Sequence, residues 1–187
     1  IFRTDVQAVC DSLVYSSKDS CLSLYTDPIL WQGPQQLLGE EIKVYMNDST
    51  IDWAHIINQA LAVEMNDSIH YNQATGKEMK AFFRNGEMHQ VDVDGNVLCI
   101  YYPVEEGDTT LMMMDYTESS HLRMVLKDRK LERGAFIGHT TGVVYPMDQI
   151  PADRLRLDAF AWFDYVRPRS KEDIFENLKK FQDMNMS

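Results

Sequence analysis

The chain has 187 residues, of which 44% are hydrophobic and 25% are charged, a composition typical of a globular domain. Its net charge of −11 argues against nucleic acid as a partner, because phosphate binding requires a basic surface, and against simple electrostatic docking to an anionic membrane. No apolar run approaches the roughly 18 residues that a spanning helix needs, so we expect no helix to cross a membrane.

The N-terminus and the cysteines give little information about the cellular compartment. The chain starts at Ile1 and its first residues lack a signal-peptide pattern, so we expect any export signal to precede Ile1. The three cysteines, Cys10, Cys21 and Cys99, show no CxxC spacing. This favours buried small apolar side chains over a zinc site or a disulfide framework, and a single Cys10–Cys21 bridge stays open.

The segment that begins at Gly39 recurs twice along the chain. Its residues GEEIKVYM align with GKEMKAFF after a shift of 37 residues, and with SSHLRMVL after a further 43. A backward shift of 29 residues aligns a degenerate copy, with Leu13 at the position of Ile42. Such self-similarity indicates a repeat architecture, in which each unit buries its apolar face against its neighbours.

Each copy opens with a run that alternates between apolar and other residues: IKVYM (42–46), MKAFF (79–83) and LRMVL (122–126). Because successive side chains of a strand point to opposite faces, each run predicts a half-buried β-strand with one apolar face. That face comprises Ile42, Val44, Met46, Met79, Ala81, Phe83, Leu122, Met124 and Leu126. The opposite face begins with Lys43, Lys80 and Arg123.

Two turns are predicted in each copy. Asn85–Gly86 is the strongest hairpin signal, because both residues tolerate a positive φ, and its counterparts are Asp48–Ser49 and Asp128–Arg129. Each repeat is therefore predicted to be a three-stranded antiparallel meander. The second turns are predicted at 58–59, 94–96 and 138–139, and the third strands at 60–65, 97–102 and 140–145.

The pattern changes at about Asp148. A helical stretch is predicted from there to Pro168, and Ser170 with Asp173 forms a capping-box variant that opens an amphipathic helix from Lys171 to Phe181. We therefore divide the chain into a β-repeat domain, residues 1–147, and a helical C-terminal tail, residues 148–187. The tail is expected to cap the end of the β stack, with docking of a partner as the alternative.

Motifs that carry catalytic or metal chemistry are missing from the sequence. There is no HxH, HExxH, GxSxG or glycine-rich phosphate loop. Asp92–Asn96 lacks the ligand spacing of an EF-hand and is interpreted as turn chemistry. We predict a binding protein that is not an enzyme and has no cofactor or metal, with an enzyme or a carbohydrate-binding domain as the remaining alternative. The histidines are scattered, at His55, His70, His89, His121 and His139.

Short segments spread over most of the chain resemble the OstA/LptA family of lipopolysaccharide-transport proteins, especially its longer OstA-like branch. The order of these segments carries the specificity. They are DSLVYSSKDS (11–20), LYTDPILW (24–31), GEEIKVY (39–45), GKEMKAF (76–82), VDVDGNV (91–97), YYP (101–103), DQIP (148–151) and RPRSKEDIF (167–175). The resemblance implies a periplasmic protein with an all-β fold, a repeated sheet folded into a β-jellyroll or "taco". It also implies an apolar interior for lipid A acyl chains and terminal strands that pair with neighbouring transport components.

On this resemblance we expect a periplasmic protein of outer-membrane biogenesis that binds and bridges lipopolysaccharide. The alternative is an assembly module that pairs by its β-edges without holding lipid. Partners would be lipopolysaccharide or another lipid, and transport proteins or a second copy at a β-edge, with Phe2–Val9 as the open edge and the tail as a candidate for blocking the other. The residues expected to contact lipid, which would equally serve as a closed core, are Ile42, Val44, Met46, Ile51, Met79, Ala81, Phe83, Met88, Leu122, Met124, Leu126 and Leu131. The cations expected at the rim are Lys43, Lys80 and Arg123.

Overall fold

The strands of the structure, a computed structural model, form one antiparallel sheet of twelve strands. The structure describes residues 1–48, 50–105 and 107–173. The strands are β1 (Val6–Val9), β2 (Ser12–Ser16), β3 (Cys21–Tyr25), β4 (Ile29–Gln32), β5 (Gln35–Leu38), β6 (Glu41–Asn47), β7 (Thr50–Met65), β8 (Tyr71–Arg84), β9 (Glu87–Tyr101), β10 (Met113–Lys127), β11 (Lys130–Ile137) and β12 (Thr141–Pro146). The predicted all-β fold is thereby confirmed.

The sheet is folded over itself into two layers that face each other, as a jellyroll does. The long strands β7 to β10 each contribute one half to each layer. Apolar side chains of both layers share one core cluster between them. Layer A contains β2, β3, β6, the half-strands 50–57, 78–84, 87–94 and 121–127, and β11. Layer B contains β1, β4, β5, the half-strands 60–65, 71–76, 97–101 and 113–119, and β12.

A line of β-bulges marks the bend between the layers. A bulge adds an unpaired residue to one strand, which bends that strand and increases its twist. Asn58 and Asn96 lie on this line with φ of 56° and 51°, a region that asparagine tolerates better than most residues. The pairing register shifts between Ile57 and Ala60 in β7, between Thr75 and Glu78 in β8, and between Ser119 and His121 in β10.

The predicted second turn of each repeat is such a bend, and this part of the prediction is corrected. Residues 58–59 lie within β7 and residues 94–96 lie within β9, so the chain keeps its direction there. Residues 138–139 separate β11 from β12, but both strands run antiparallel to β10. The predicted third strands therefore continue the second strands into layer B. A positive φ suits a bulge as well as a turn, and the sequence does not distinguish the two.

The hairpin turns predicted at Asn85–Gly86 and Asp128–Arg129 are confirmed. Asn85 and Gly86 have φ of 53° and 79°, and Asp128 and Arg129 have φ of 51° and 64°. Two consecutive positive φ values match the right-handed twist of the flanking strands. Their counterpart at Asp48–Ser49 lies partly outside the described residues. Asp92 and Asp94 lie within β9, where they pair with Arg123 and His121.

Gly76 allows the two halves of the sheet to approach closely at the bend. A Cβ atom at this position would lie 2.5 Å from Val93 Cγ1 and 3.0 Å from the Asp94 carbonyl oxygen. We therefore expect Gly76→Ala to lower the free energy of unfolding by about 2 kcal/mol, the usual effect of overpacking. Gly134→Ala is the matched control, because nothing lies within 4 Å of its added Cβ. Urea unfolding measures both variants, and equal stabilities would contradict the close approach at Gly76.

Residues 147–173 form a strap that crosses the outer face of layer B. The strap packs Leu157 against Ile100 and Met114, and its Val166 joins a cluster with Ile29 and Trp31. Layer B is therefore covered on both faces. The strap contains three 3-10 turns, at Met147–Gln149, Ala152–Arg154 and Asp164–Val166.

These 3-10 turns replace the helical stretch predicted from Asp148. Pro146 and Pro151 immediately precede the first two turns, and a proline cannot donate the backbone hydrogen bond that a helix interior requires. The strap also covers a face of the fold, whereas a cap at the end of the β stack was predicted. The capping box is present: the Ser170 amide donates to Asp173 Oδ2 at 2.9 Å, and the Asp173 amide donates to Ser170 Oγ at 3.3 Å. The helix predicted for Lys171–Phe181 lies mostly outside the described residues.

Candidate functional site: an apolar groove between the layers

An apolar groove with a cavity volume of about 80 Å³ lies between the two layers and opens to solvent. Layer A contributes Met88, Val91, Met124, Leu126 and Leu131 to its lining. Layer B contributes Gln35, Leu37, Ala62, Glu64, Asn72, Ala74, Cys99 and Tyr101.

The groove exists because the side chains on the inner face of layer B become smaller towards β12. One row of cross-strand neighbours runs through Leu30, Leu37, Ala62, Ala74, Cys99, Thr117 and Gly142. The leucines at one end of this row fill the space between the layers. The alanines, the cysteine and the glycine that follow do not reach as far towards layer A. The result is a trough that widens towards β10 and β11.

Cys99 behaves in this lining as a small apolar side chain, as predicted. It is buried, and burial raises the pKa of its thiol to about 12, so the thiol stays protonated at neutral pH. All three cysteines are free, and Cys21 is buried as well. The Cys10–Cys21 bridge is therefore not formed.

A row of polar side chains follows the lip of the groove on layer B. Gln35 Nε2 donates to Glu64 Oε1 at 2.8 Å, and Asn72 Nδ2 donates to Glu64 Oε2 at 3.1 Å. Tyr101 belongs to the same row, and its pKa is raised by burial and then by the nearby Glu64 carboxylate. This lip is thus acidic and already hydrogen-bonded.

At the β4–β5 end the mouth of the groove is bridged from one layer to the other. Gln32 Nε2 donates to the Gly86 carbonyl oxygen at 2.8 Å, and the Met88 amide donates to Gln32 Oε1 at 3.2 Å. Gln32 is buried, although it lies beside a turn. These bonds fix the distance between the β4–β5 turn and the β8–β9 hairpin.

The residues expected to contact lipid all lie on the inner face of layer A, but they divide into two groups. Met88, Met124, Leu126 and Leu131 line the groove. The others belong to the core cluster or pack against it, where the layers touch. These core residues are Ile42, Val44, Met46, Ile51, Met79, Ala81, Phe83 and Leu122.

The cations expected at the rim lie on the outer face of layer A. Lys43, Lys80 and Arg123 share one cross-strand row there with His55 and Asp92. Arg123 Nε contacts Asp92 Oδ1 at 2.7 Å, and Lys43 Nζ lies 3.5 Å from Glu41 Oε1. Alternation places them on the face opposite to the interior, so they do not line the groove.

The layer B side of the groove was not predicted from the sequence. Ala62 and Cys99 lie on half-strands that the sequence places in third strands, and Ala74 lies before the predicted strand 79–83, so the facing of these residues cannot be assigned without the bend. Small residues recur at matched positions of these segments, and this recurrence could have identified the layer B lining of the groove.

Apolar side chains are exposed on unpaired edge strands at both ends of the sheet. In β2, Val14 and Tyr15 are 55% and 57% exposed, and in β12 Val144 is 57% exposed. The edge predicted at Phe2–Val9 is partly covered, because Phe2 bridges to Gln7 and the Ile1 ammonium donates to the Ala8 carbonyl oxygen. β2 is thus the more open N-terminal edge. At the other end, the described part of the tail leaves β11 and β12 uncovered.

The described part of the chain contains no group of three or more His, Cys, Asp or Glu side chains that could hold a metal ion. It also has no helix long and apolar enough to cross a membrane.

Comparison with known proteins identifies a shared fold. No protein-family model and no curated protein sequence matches the chain. The structure is similar to that of LptH from Pseudomonas aeruginosa, the LptA-homologous periplasmic component of the conserved lipopolysaccharide transport device. The match has a TM-score of 0.56 and 12% sequence identity, and it covers 75% of this chain and 95% of LptH. At this identity the similarity shows that the chain has the LptA-like jellyroll fold.

Proposed function

We propose that the protein binds the acyl chains of lipopolysaccharide in the groove between its layers and bridges neighbouring proteins of outer-membrane biogenesis in the periplasm. The groove itself carries this proposal, because an apolar trough that opens to solvent is a costly feature in a protein without an apolar ligand. Acyl chains suit it because each Å² of buried apolar surface contributes about 25 cal/mol.

The side chains of the groove favour a flexible ligand. Met88 and Met124 are unbranched and adapt to different chain positions, while Ala62 and Ala74 leave room opposite them. The ligand undergoes no chemical change in this role, so binding and bridging require no catalytic residue.

The similarity to LptH supports lipopolysaccharide as the ligand and the periplasm as the compartment. LptH is a periplasmic component of a lipopolysaccharide transport device, and this chain has its fold over most of the length of both proteins. Bridging is supported by the exposed apolar edges at β2 and β12, because unpaired strand edges template pairing with another chain. These edges alone would also suit an assembly module that holds no lipid, which is the second candidate function.

Site-specific photocrosslinking to purified lipopolysaccharide tests the proposal. A benzophenone probe at Met124, which lines the groove, is expected to crosslink, whereas a probe at Arg123 on the outer face is not. Ala62→Phe fills the groove and is expected to reduce crosslinking from Met124 at least about tenfold, since it removes the space for the acyl chain. Ala135→Phe, on the exposed edge strand β11, is the matched control and is expected to crosslink normally.

Equal crosslinking from Met124 and Arg123 would mean that lipopolysaccharide adheres to the surface. No crosslink from Met124 in a folded protein would favour the assembly module. The free energy of unfolding of Ala62→Phe separates misfolding from a filled groove. Because the new phenylalanine ring points into the groove, the substitution is expected to lower this free energy by less than about 1.5 kcal/mol.

A further inference from the structure

A second cavity, about 630 Å³ in volume, lies on the outer face of layer B beside the bend and shares no lining residue with the groove. Its floor is apolar and consists of side chains of β4, β5 and β7 that face the strap, namely Ile29, Leu38 and Leu61. The strap forms one wall, where the rings of Phe163 and Tyr165 meet edge to face with centroids 6.3 Å apart. The size of this cleft is that of a ligand site, roughly 300–1,000 Å³.

The strap leaves part of this floor uncovered. Alternate strap residues line the cleft, and two of them are alanines, Ala159 and Ala161, whose small side chains do not fill the space above the floor. At the end of the same row, Tyr165 is 62% exposed. Apolar and aromatic surface that stays open to solvent and is bordered by polar groups is typical of an interaction site.

Two carboxylates lie at the rim of the cleft on the side of the bend. Asp27 and Glu40 occupy neighbouring crossings of the chain between the layers, one from β3 to β4 and the other from β5 to β6. Glu40 accepts from Gln59 Nε2 at 2.7 Å and from Asn58 Nδ2 at 3.1 Å, and these neutral amides fix its carboxylate without neutralising the charge. Among the described residues, no Lys, Arg or His lines the cleft or forms an ion pair with either carboxylate.

We propose that this cleft binds an extended segment of a partner protein that carries an arginine between apolar residues. Charge complementarity selects the cation, because a planar guanidinium donates to carboxylates in pairs of hydrogen bonds. The apolar floor selects the residues on either side, since residues two positions apart in an extended segment face the same way. The carboxylates disfavour an acyl chain, which is apolar over its whole length. The site does not depend on lipid binding in the groove.

Fluorescence polarisation of a labelled peptide, titrated with the full chain, tests the proposal. The probe is fluorescein-labelled Leu-Ser-Arg-Ser-Leu, and its control carries citrulline, an uncharged group of similar shape, in place of arginine. We expect the citrulline peptide to bind at least about tenfold more weakly. Asp27→Asn should weaken binding of the arginine peptide about fivefold, the upper range for an exposed ion pair.

Asp48→Asn is the matched control for the charge. Asp27 and Asp48 have φ of 50° and 47°, a region that asparagine tolerates, and Asp48 lies in the turn at the far end of β6. Asp48→Asn should leave the affinity within about twofold, and both variants should unfold at the temperature of wild type. Tyr165→Ala removes the exposed ring of the wall and should weaken binding about fivefold, whereas Tyr15→Ala, at an exposed position of β2, should not.

Equal binding of the two peptides, equal affinity of Asp27→Asn and wild type, or no binding of the arginine peptide to wild type would each overturn the site. Self-association of wild type in sedimentation that Asp27→Asn abolishes would also overturn it, because a second copy would then occupy the cleft. Ala62→Phe separates this site from the proposed function, since it fills the groove and should leave peptide binding unchanged. Loss of peptide binding in that variant would place the peptide in the groove.

Discussion

Replacing Gln36 by leucine should lower the free energy of unfolding by about 3 kcal/mol, because it leaves three polar groups without their partners where the strap meets layer B. Gln36 is fully buried between layer B and the strap. Its Oε1 accepts from the Phe163 amide at 2.8 Å and from the Trp31 indole at 3.2 Å, and its Nε2 donates to the Ala161 carbonyl oxygen at 2.9 Å. Leucine has a volume similar to that of glutamine, so the substitution leaves no large cavity. The loss of hydrogen bonds therefore accounts for most of the expected decrease in the free energy of unfolding.

Urea unfolding measures this loss, and Gln90→Leu provides the matched control. Gln90 lies in β9 on the outer face of layer A, and within residues 1–48, 50–105 and 107–173 its side chain bonds to Asp92 alone, so its loss should cost less than about 1 kcal/mol. Hydrogen exchange should additionally be faster at residues 161–163 in Gln36→Leu, because the strap loses its anchor there. Equal stability of the two variants would mean that the strap contributes little to holding layer B.

Gln36 belongs to a set of three buried glutamines that attach the strap to the sheet. Gln73 repeats the same two-bond pattern, donating to the Leu155 carbonyl oxygen at 3.0 Å and accepting from the Leu157 amide at 2.9 Å. Gln7 accepts from Arg167 Nε at 2.8 Å. These bonds satisfy the backbone of an extended segment that has no strand partner. Layer B is thus held from both sides, by the core between the layers and by the strap.

The alternation of apolar residues was sufficient to predict the inner face of layer A. Ile42, Met79 and Leu122 occupy equivalent positions of three repeats, and all three are buried. The period of two in a strand determines this outcome, since a one-residue slip would expose every one of them. The Asn–Gly dipeptide between two alternating runs likewise located the hairpin at Asn85–Gly86.

The bend, the strap and the position of the groove could not be predicted in the same way. Asn58 and Gln59 have the residue types of a turn, and only the pairing of β7 with β8 on both sides of them shows a bulge. Gln36 and Gln73 are polar residues, and glutamine is ordinarily assigned to solvent because it is mostly exposed in proteins. The groove depends on which small side chains of layer B face layer A. That pairing is set by the fold-over and not by local sequence.

Met79 and Met124 give the sharpest contrast between closed core and groove, because both lie on the inner face of layer A. Met79 is fully buried in the centre of the core cluster, whereas Met124 is half-buried and lines the groove. Met79→Ala should therefore lower the free energy of unfolding by about 3 kcal/mol through the cavity that it leaves. Met124→Ala should cost about 1 kcal/mol, because less apolar surface is buried there.

Lipopolysaccharide affinity should show the reverse order. Per folded molecule, Met79→Ala is expected to bind lipopolysaccharide as wild type does, because the cavity opens in a region where the layers touch and the ligand does not reach. Met124→Ala is expected to bind several-fold more weakly, because it removes contacts with the acyl chain. Urea unfolding and lipopolysaccharide titration on the same preparations measure both effects. Normal affinity in Met124→Ala together with lost affinity in folded Met79→Ala would place the lipid in the centre of the core and would require the layers to separate on binding.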